Sequence, residues 1–142
     1  MAYNEFAYFY DEFNGEADYD ALYSHIHSQL EAHGIRDGIL ADLGCGTGEL
    51  TLMLTQAGYD MIGIDNSPDM LEVAQEKRVE SGLDILYLMQ DMREFELYGT
   101  VKAVVCVCDS MNYILEEADL REVFSRVHEY LEEDGVFIFD LN

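Results

Sequence analysis

Residues 39–48 read Ile39-Leu-Ala-Asp42-Leu-Gly44-Cys45-Gly46-Thr-Gly48, an apolar run that ends in an aspartate and passes into a loop with glycine at every second position. Such a loop carries almost no side chains, so backbone N–H and C=O groups can press directly onto a ligand. A helix beginning near Glu49 would add the positive end of its dipole to that surface. A turn that only saves space is the plainer reading, and three alternating glycines behind an aspartate-tipped strand disfavour it.

Working outward, the pattern alternates between helical and extended spacing. Tyr19, Leu22, Tyr23, Ile26 and Leu30 recur at helical intervals and predict an amphipathic helix over 18–33, ended by Gly34. Strand one is 39–43, and a helix over 49–57 follows with Leu50, Met53 and Leu54 inward, broken at Gly58. Asp60–Ile64 is a short apolar strand that ends at Asp65, after which Ser67-Pro68 has the form of an N-cap with proline in the first turn. The helix it opens runs to Gly82 and buries Met70, Leu71 and Ala74. Ile85–Met89 and Val101–Val107 are strands three and four. Leu120, Val123, Phe124 and Val127 mark a helix to about Glu133, and Gly135–Phe139 begins strand five. Strands that alternate with helices and are apolar along both faces predict an α/β fold: a doubly wound, Rossmann-like parallel sheet of about five strands with helices on both faces. In such sheets ligands bind at the carboxyl ends of the strands.

The 142 residues are enough for one domain with a real core, and 49% are hydrophobic. Thirty acids against seven bases leave a net charge of −23. A nucleic-acid backbone would be repelled almost everywhere, so a nucleic-acid partner is disfavoured; a strongly solvated surface accounts for the acidity. No apolar run approaches a membrane span, and Met1–Glu5 lacks a signal-peptide pattern. Three cysteines, two of them (Cys106 and Cys108) in a Val-rich strand, read as buried reduced thiols of a cytoplasmic protein rather than a disulfide or metal site. His25, His27, His33 and His128 assemble no metal-ligand spacing, so no metal is expected.

The glycine spacing separates two ligand classes. A dinucleotide-binding loop wants Gly-x-Gly-x-x-Gly, whose third glycine would fall at position 49, where this chain has Glu. A carboxylate there repels a pyrophosphate and tolerates a ligand with positive charge, such as the sulfonium and ammonium of S-adenosylmethionine. The Asp-x-Gly-x-Gly-x-Gly form resembles the first motif of the class I S-adenosylmethionine-dependent methyltransferases of the small-molecule type. A Phe6-Ala-x-x-Tyr10-Asp11 stretch resembles the opening of many of them.

That resemblance implies S-adenosylmethionine as cofactor and S-adenosylhomocysteine as product, with site residues at successive strand ends. The loop Asp42, Gly44, Cys45 and Gly46 would help fix the cofactor through its bare backbone. Asp65, nineteen residues past Gly46, would accept the ribose hydroxyls, with Asn66 and Met70 beside the adenine. Asp91 would take the adenine amino group, and the N–H of Met92 would face a ring nitrogen. Tyr10 would reach the methionine end from the N-terminus, where an aromatic face suits a sulfonium. The carbonyl of Cys108 would meet the ammonium, and Asp109, Asn112 and Tyr113 are candidates for the border of the acceptor pocket. No catalytic base is assigned, because a free amine acceptor needs none and a hydroxyl acceptor does.

The expected organisation is therefore one methyltransferase domain over 1–142, with an aromatic segment and helix at 1–35 and a Rossmann-like core at 36–142. The family usually continues past its fifth strand, so the core reads as C-terminally incomplete. A homodimer or another partner covering the bare strand edge is the expected remedy. The expected function is transfer of a methyl group to N or O of a small-molecule acceptor. Alternatives are a non-catalytic module that binds the cofactor or its product and acts through a partner, and a nicotinamide-dependent oxidoreductase, which Glu49 disfavours.

Overall fold

The computed structural model describes residues 16–107 and 116–139. In chain order these form α1 (Glu16–Ala32), β1 (Gly38–Leu43), α2 (Glu49–Gln56), β2 (Tyr59–Asp65), α3 (Pro68–Ser81), β3 (Leu86–Met89), β4 (Val101–Cys106), α4 (Glu117–Tyr130) and β5 (Leu131–Phe139). The five strands make one parallel sheet in the order β3-β2-β1-β4-β5. The chain winds outward from β1 through β2 to β3, then crosses back past β1 to β4 and on to β5, so the order reverses between β1 and β4. A crevice opens outside the carboxyl end of β1 at that switch point.

Both faces of the sheet are covered, as the apolar runs predict. On one face Leu22, Ile26 and Leu30 of α1, Leu50 and Leu54 of α2 and Leu71 and Ala74 of α3 pack on Leu40, Met61, Tyr87, Ala103 and Val105. On the other, Val123 and Val127 of α4 join Phe95 against Ala41, Leu43, Ile64, Val104 and Cys106. Neighbours along one strand, such as Leu40 and Ala41, serve opposite cores, as strand geometry requires.

The punctuation of α3 follows its sequence signals. The Ser67 hydroxyl accepts the Met70 N–H at 3.3 Å, Pro68 stands first in the helix, and Gly82 closes it with a φ of 72°. The end of α4 differs from expectation. The helix stops at Tyr130 rather than near Glu133, because Leu131 turns extended (φ −74°, ψ 138°) and pairs with Val101 of β4. The acidic residues 132–134 then bulge out of register before Val136 pairs with Ala103. Pairing an apolar residue with the sheet outweighs one more turn of an exposed acidic helix.

Candidate cofactor-binding site

At the carboxyl ends of β1, β2 and β3 lies a cavity of about 600 Å³. Its lining includes Asp42, Gly44, Cys45, Gly46, Asp65, Asn66, Met70, Asp91 and Met92, so nine of the residues singled out from sequence converge on one space. Tyr10, Cys108, Asp109, Asn112 and Tyr113 lie outside the described residues. The cavity also recruits residues the sequence did not mark, among them Tyr19, Gln90 and Arg93. By its spacing Tyr19 is the first position of the apolar stripe of α1. Tyr19 is partly buried against the core that α1 covers and lines the cavity as well.

Asp65 organises the glycine loop. Its Oδ2 accepts the Gly46 N–H and its Oδ1 accepts the Ser67 N–H, both at 2.9 Å. Behind it, the carbonyl of Ile64 accepts the N–H groups of Gly44 and Cys45 at 2.7 and 3.0 Å, and the carbonyl of Asp65 accepts the Gln90 N–H at 3.0 Å. The β2 terminus thus anchors the loop after β1 and the segment after β3 at once. A carboxylate has about four acceptor positions, so each Asp65 oxygen keeps one for a hydroxyl in the cavity.

Asp42 is buried, with 3% of its surface exposed, although it lines the cavity. The Thr51 hydroxyl of α2 donates to its Oδ2 at 2.8 Å. Burial pushes its pKa up to about 7; the Thr51 bond works against this, and the charge of Asp65 adds to it. The Cys45 thiol is pushed up as well, by burial first and then by Asp42 and Asp65, which keeps it a neutral thiol and a poor nucleophile. Asp91 has the opposite environment. Arg93 grips it with two parallel bonds, Nε to Oδ1 at 2.9 Å and a terminal nitrogen to Oδ2 at 2.6 Å, and holds its carboxyl below the usual range. Arg93 also reaches Asp119 in the first turn of α4 at 3.6 Å, so it ties the wall of the cavity to that helix.

Glu49 is not an isolated charge at the helix start. Lys77 of α3 pairs with it at 2.7 Å and also donates to the Thr47 hydroxyl at 3.3 Å. This corrects the charge argument against a pyrophosphate, because the nearby cation offsets much of the repulsion. Beneath the loop, the buried Tyr87 hydroxyl lies beside Thr51 yet makes no hydrogen bond of ordinary geometry. A buried hydroxyl without a partner contributes nothing favourable, so Tyr87→Phe is expected to leave the thermal midpoint unchanged or to raise it, checked by calorimetry of the two proteins. Among the described residues, no three histidine, cysteine or acidic side chains cluster so as to hold a metal ion.

Residues 40–135, from β1 into β5 and including all of this cavity's strand ends, match the family model described as "Methyltransferase domain". The chain belongs to the class I S-adenosylmethionine-dependent methyltransferases. A methyltransferase-family protein of Geobacillus sp. (strain WCH70) is 42% identical over 144 residues, covering 100% of this chain and 58% of the relative. One from Bacillus subtilis (strain 168) is 41% identical over 143 residues, covering 100% of this chain and 56% of the relative. Among solved structures, an S-adenosylmethionine-dependent methyltransferase from Clostridium acetobutylicum superposes with a TM-score of 0.84 at 32% identity, over 100% of this chain and 58% of that one. The chain thus spans somewhat over half the length of these relatives. Membership assigns S-adenosylmethionine as the cofactor of this methyltransferase domain. Among the described residues no helix is long and apolar enough to cross a membrane.

Proposed function

We propose that the chain provides the cofactor-binding core of an enzyme that transfers a methyl group to N or O of a small-molecule acceptor. The carrying observation is the convergence of Asp42, Asp65 and Asp91, each at or just past the end of a different strand, on one cavity floored by the glycine loop. Three carboxylates around backbone N–H groups suit a ligand with a cationic end, a diol and an amino group on a flat ring.

In this reading the two remaining acceptor positions of Asp65 take the ribose hydroxyls. Asn66 and Met70 flank the adenine, the ionised Asp91 accepts from its amino group, and the Met92 N–H faces the ring. Asp42 and the loop Gly44-Cys45-Gly46 hold the methionine end, to which Tyr10 and the Cys108 carbonyl are also assigned. Bound S-adenosylmethionine supplies a methyl group already activated by the sulfonium. What remains for the chain is to hold that donor in line with the acceptor and to exclude water. Asp109, Asn112 and Tyr113 follow β4 in sequence and are the candidates assigned to the acceptor.

Support for a small acceptor comes from more distant relatives. A glycine/sarcosine N-methyltransferase of Parasynechococcus marenigrum is 27% identical over 78% of this chain and 39% of its own length. A ubiquinone biosynthesis O-methyltransferase of Haemophilus ducreyi is 31% identical over 80% of this chain and 50% of its own length. Four cationic side chains, Lys77, Arg93, Lys102 and Arg121, are paired with carboxylates of the chain itself, which leaves little to attract a nucleic acid.

Calorimetric titration tests this reading. Saturable binding of S-adenosylmethionine and S-adenosylhomocysteine, with no heat from NAD, is the expected result. A folded sample that binds neither adenosyl compound would overturn it.

A further inference from the structure

We propose that Thr51 is a positioning residue of the cofactor site, its hydroxyl holding the Asp42 carboxylate in the orientation from which it meets the cationic methionine end of the cofactor. This rests on the reading of Asp42 given above and adds a residue that does not itself line the cavity.

Thr51 sits in the first turn of α2 and is completely buried, an unusual place for a threonine unless its hydroxyl has a task. That task is visible: it donates to Asp42 Oδ2 at 2.8 Å. Asp42 lies at the centre of the sheet, opposite Gly63 of β2 and Val105 of β4, so neither neighbouring strand offers it a polar side chain at its own register. Among the described residues, the groups that act on it are Thr51 from α2, Asp65 from β2, Cys45 from the loop and Tyr87 from β3. Two of these, the neutral Cys45 thiol and the neutral Tyr87 phenol, bring no charge. Asp65 repels its ionised form, and Thr51 donates to it.

The consequence is a proton linkage. Without ligand, Asp42 holds a proton over much of the range below neutrality, because burial and Asp65 outweigh the Thr51 bond. A cation placed against it favours the ionised form, so binding releases that proton. Affinity therefore rises with pH up to a midpoint near neutrality and levels off above it. Removing the Thr51 donor makes ionisation harder and moves the midpoint upward, by about one pH unit for the loss of one hydrogen bond.

The test is the S-adenosylhomocysteine affinity of wild type, Thr51→Val, Thr51→Ser and Asp42→Asn between pH 5.5 and 8, with thermal unfolding of each protein as the control for folding. Wild type is expected to gain affinity with pH and then level off. Thr51→Val is expected to bind about fivefold more weakly at pH 7, about tenfold more weakly at pH 5.5, and to recover as the pH rises. Thr51→Ser, which restores the donor, should return the wild-type midpoint, and Asp42→Asn should flatten the profile. An unchanged midpoint in a folded Thr51→Val protein, or an equal loss of affinity at every pH, would overturn the proposal, since a merely structural threonine behaves that way. If Thr51→Val does not fold, a Thr51→Ser profile displaced from wild type would do the same. Wild type that binds at no pH would overturn the cofactor-site reading itself.

Discussion

Asp65→Ala is expected to lower S-adenosylhomocysteine affinity by about two to four orders of magnitude, while the protein itself stays folded. Two effects combine. The first is loss of the ribose acceptor: a hydrogen bond to a charged group contributes about 1.5–3 kcal/mol, and two of them vanish together. The second is loss of order in the loop, because the Gly46 and Ser67 N–H groups lose the carboxylate that holds them at 2.9 Å. Both N–H groups are only partly buried, so water can replace the carboxylate in the unliganded protein and the thermal midpoint falls by a few degrees at most. Asp65→Asn discriminates between the effects. Its amide keeps one acceptor oxygen but turns an NH2 group toward the other backbone donor, so it cannot satisfy Gly46 and Ser67 together. The amide should therefore rescue little of the affinity. Calorimetric titration of the three proteins checks both substitutions, and near-wild-type binding by Asp65→Ala would remove Asp65 from the site.

Much of this architecture was legible because parallel strands buried on both faces must be apolar throughout, and loops that approach a ligand must be short of side chains. Val101–Cys106 and Ile39–Leu43 announce themselves that way, and Asp42, Asp65 and Asp91 stand out because each follows an apolar run. What stayed hidden depends on contacts between distant residues. Leu131 continues the four-residue spacing from Val127, so periodicity alone extends α4 past Tyr130; only the pairing with Val101 ends it. Lys77 reads as a solvated residue of α3 until the fold brings it to Glu49, twenty-eight positions earlier. Arg93 likewise reads as loop chemistry until it is seen to grip Asp91 and reach α4. The Thr51–Asp42 bond spans only nine residues, yet it requires the turn between them to have its actual shape. Sequence pattern thus reveals which residues must be buried or bare of side chains. It does not reveal which charged residues will find each other.

Gly48→Ala carries the largest expected cost to stability, and the two sources of that cost can be separated. Gly48 caps α2 with a φ of 82°, a left-handed conformation that costs an L-residue about 1–2 kcal/mol. An added Cβ would also come within 2.4 Å of the Tyr87 hydroxyl oxygen and 3.1 Å of the Ala74 Cβ. The tyrosine cannot yield easily, since its ring is rigid, buried, and packed over Gly63, where a Cβ would meet it at 2.4 Å. Overpacking of this kind costs about 1–3 kcal/mol, so the sum is about 2–5 kcal/mol and the thermal midpoint should fall by about 10 °C. Gly46→Ala supplies the comparison. Its φ is 60°, and a Cβ there meets nothing within 4 Å, so only the conformational part applies. Combining Gly48→Ala with Tyr87→Phe removes the oxygen that the new methyl would strike. The double variant should therefore regain about 1–2 kcal/mol relative to Gly48→Ala, a coupling that two independent sites would not show. Purely additive effects would mean that the loop, and not the tyrosine, moves to make room. The glycine at 48 would then be required for its backbone conformation alone.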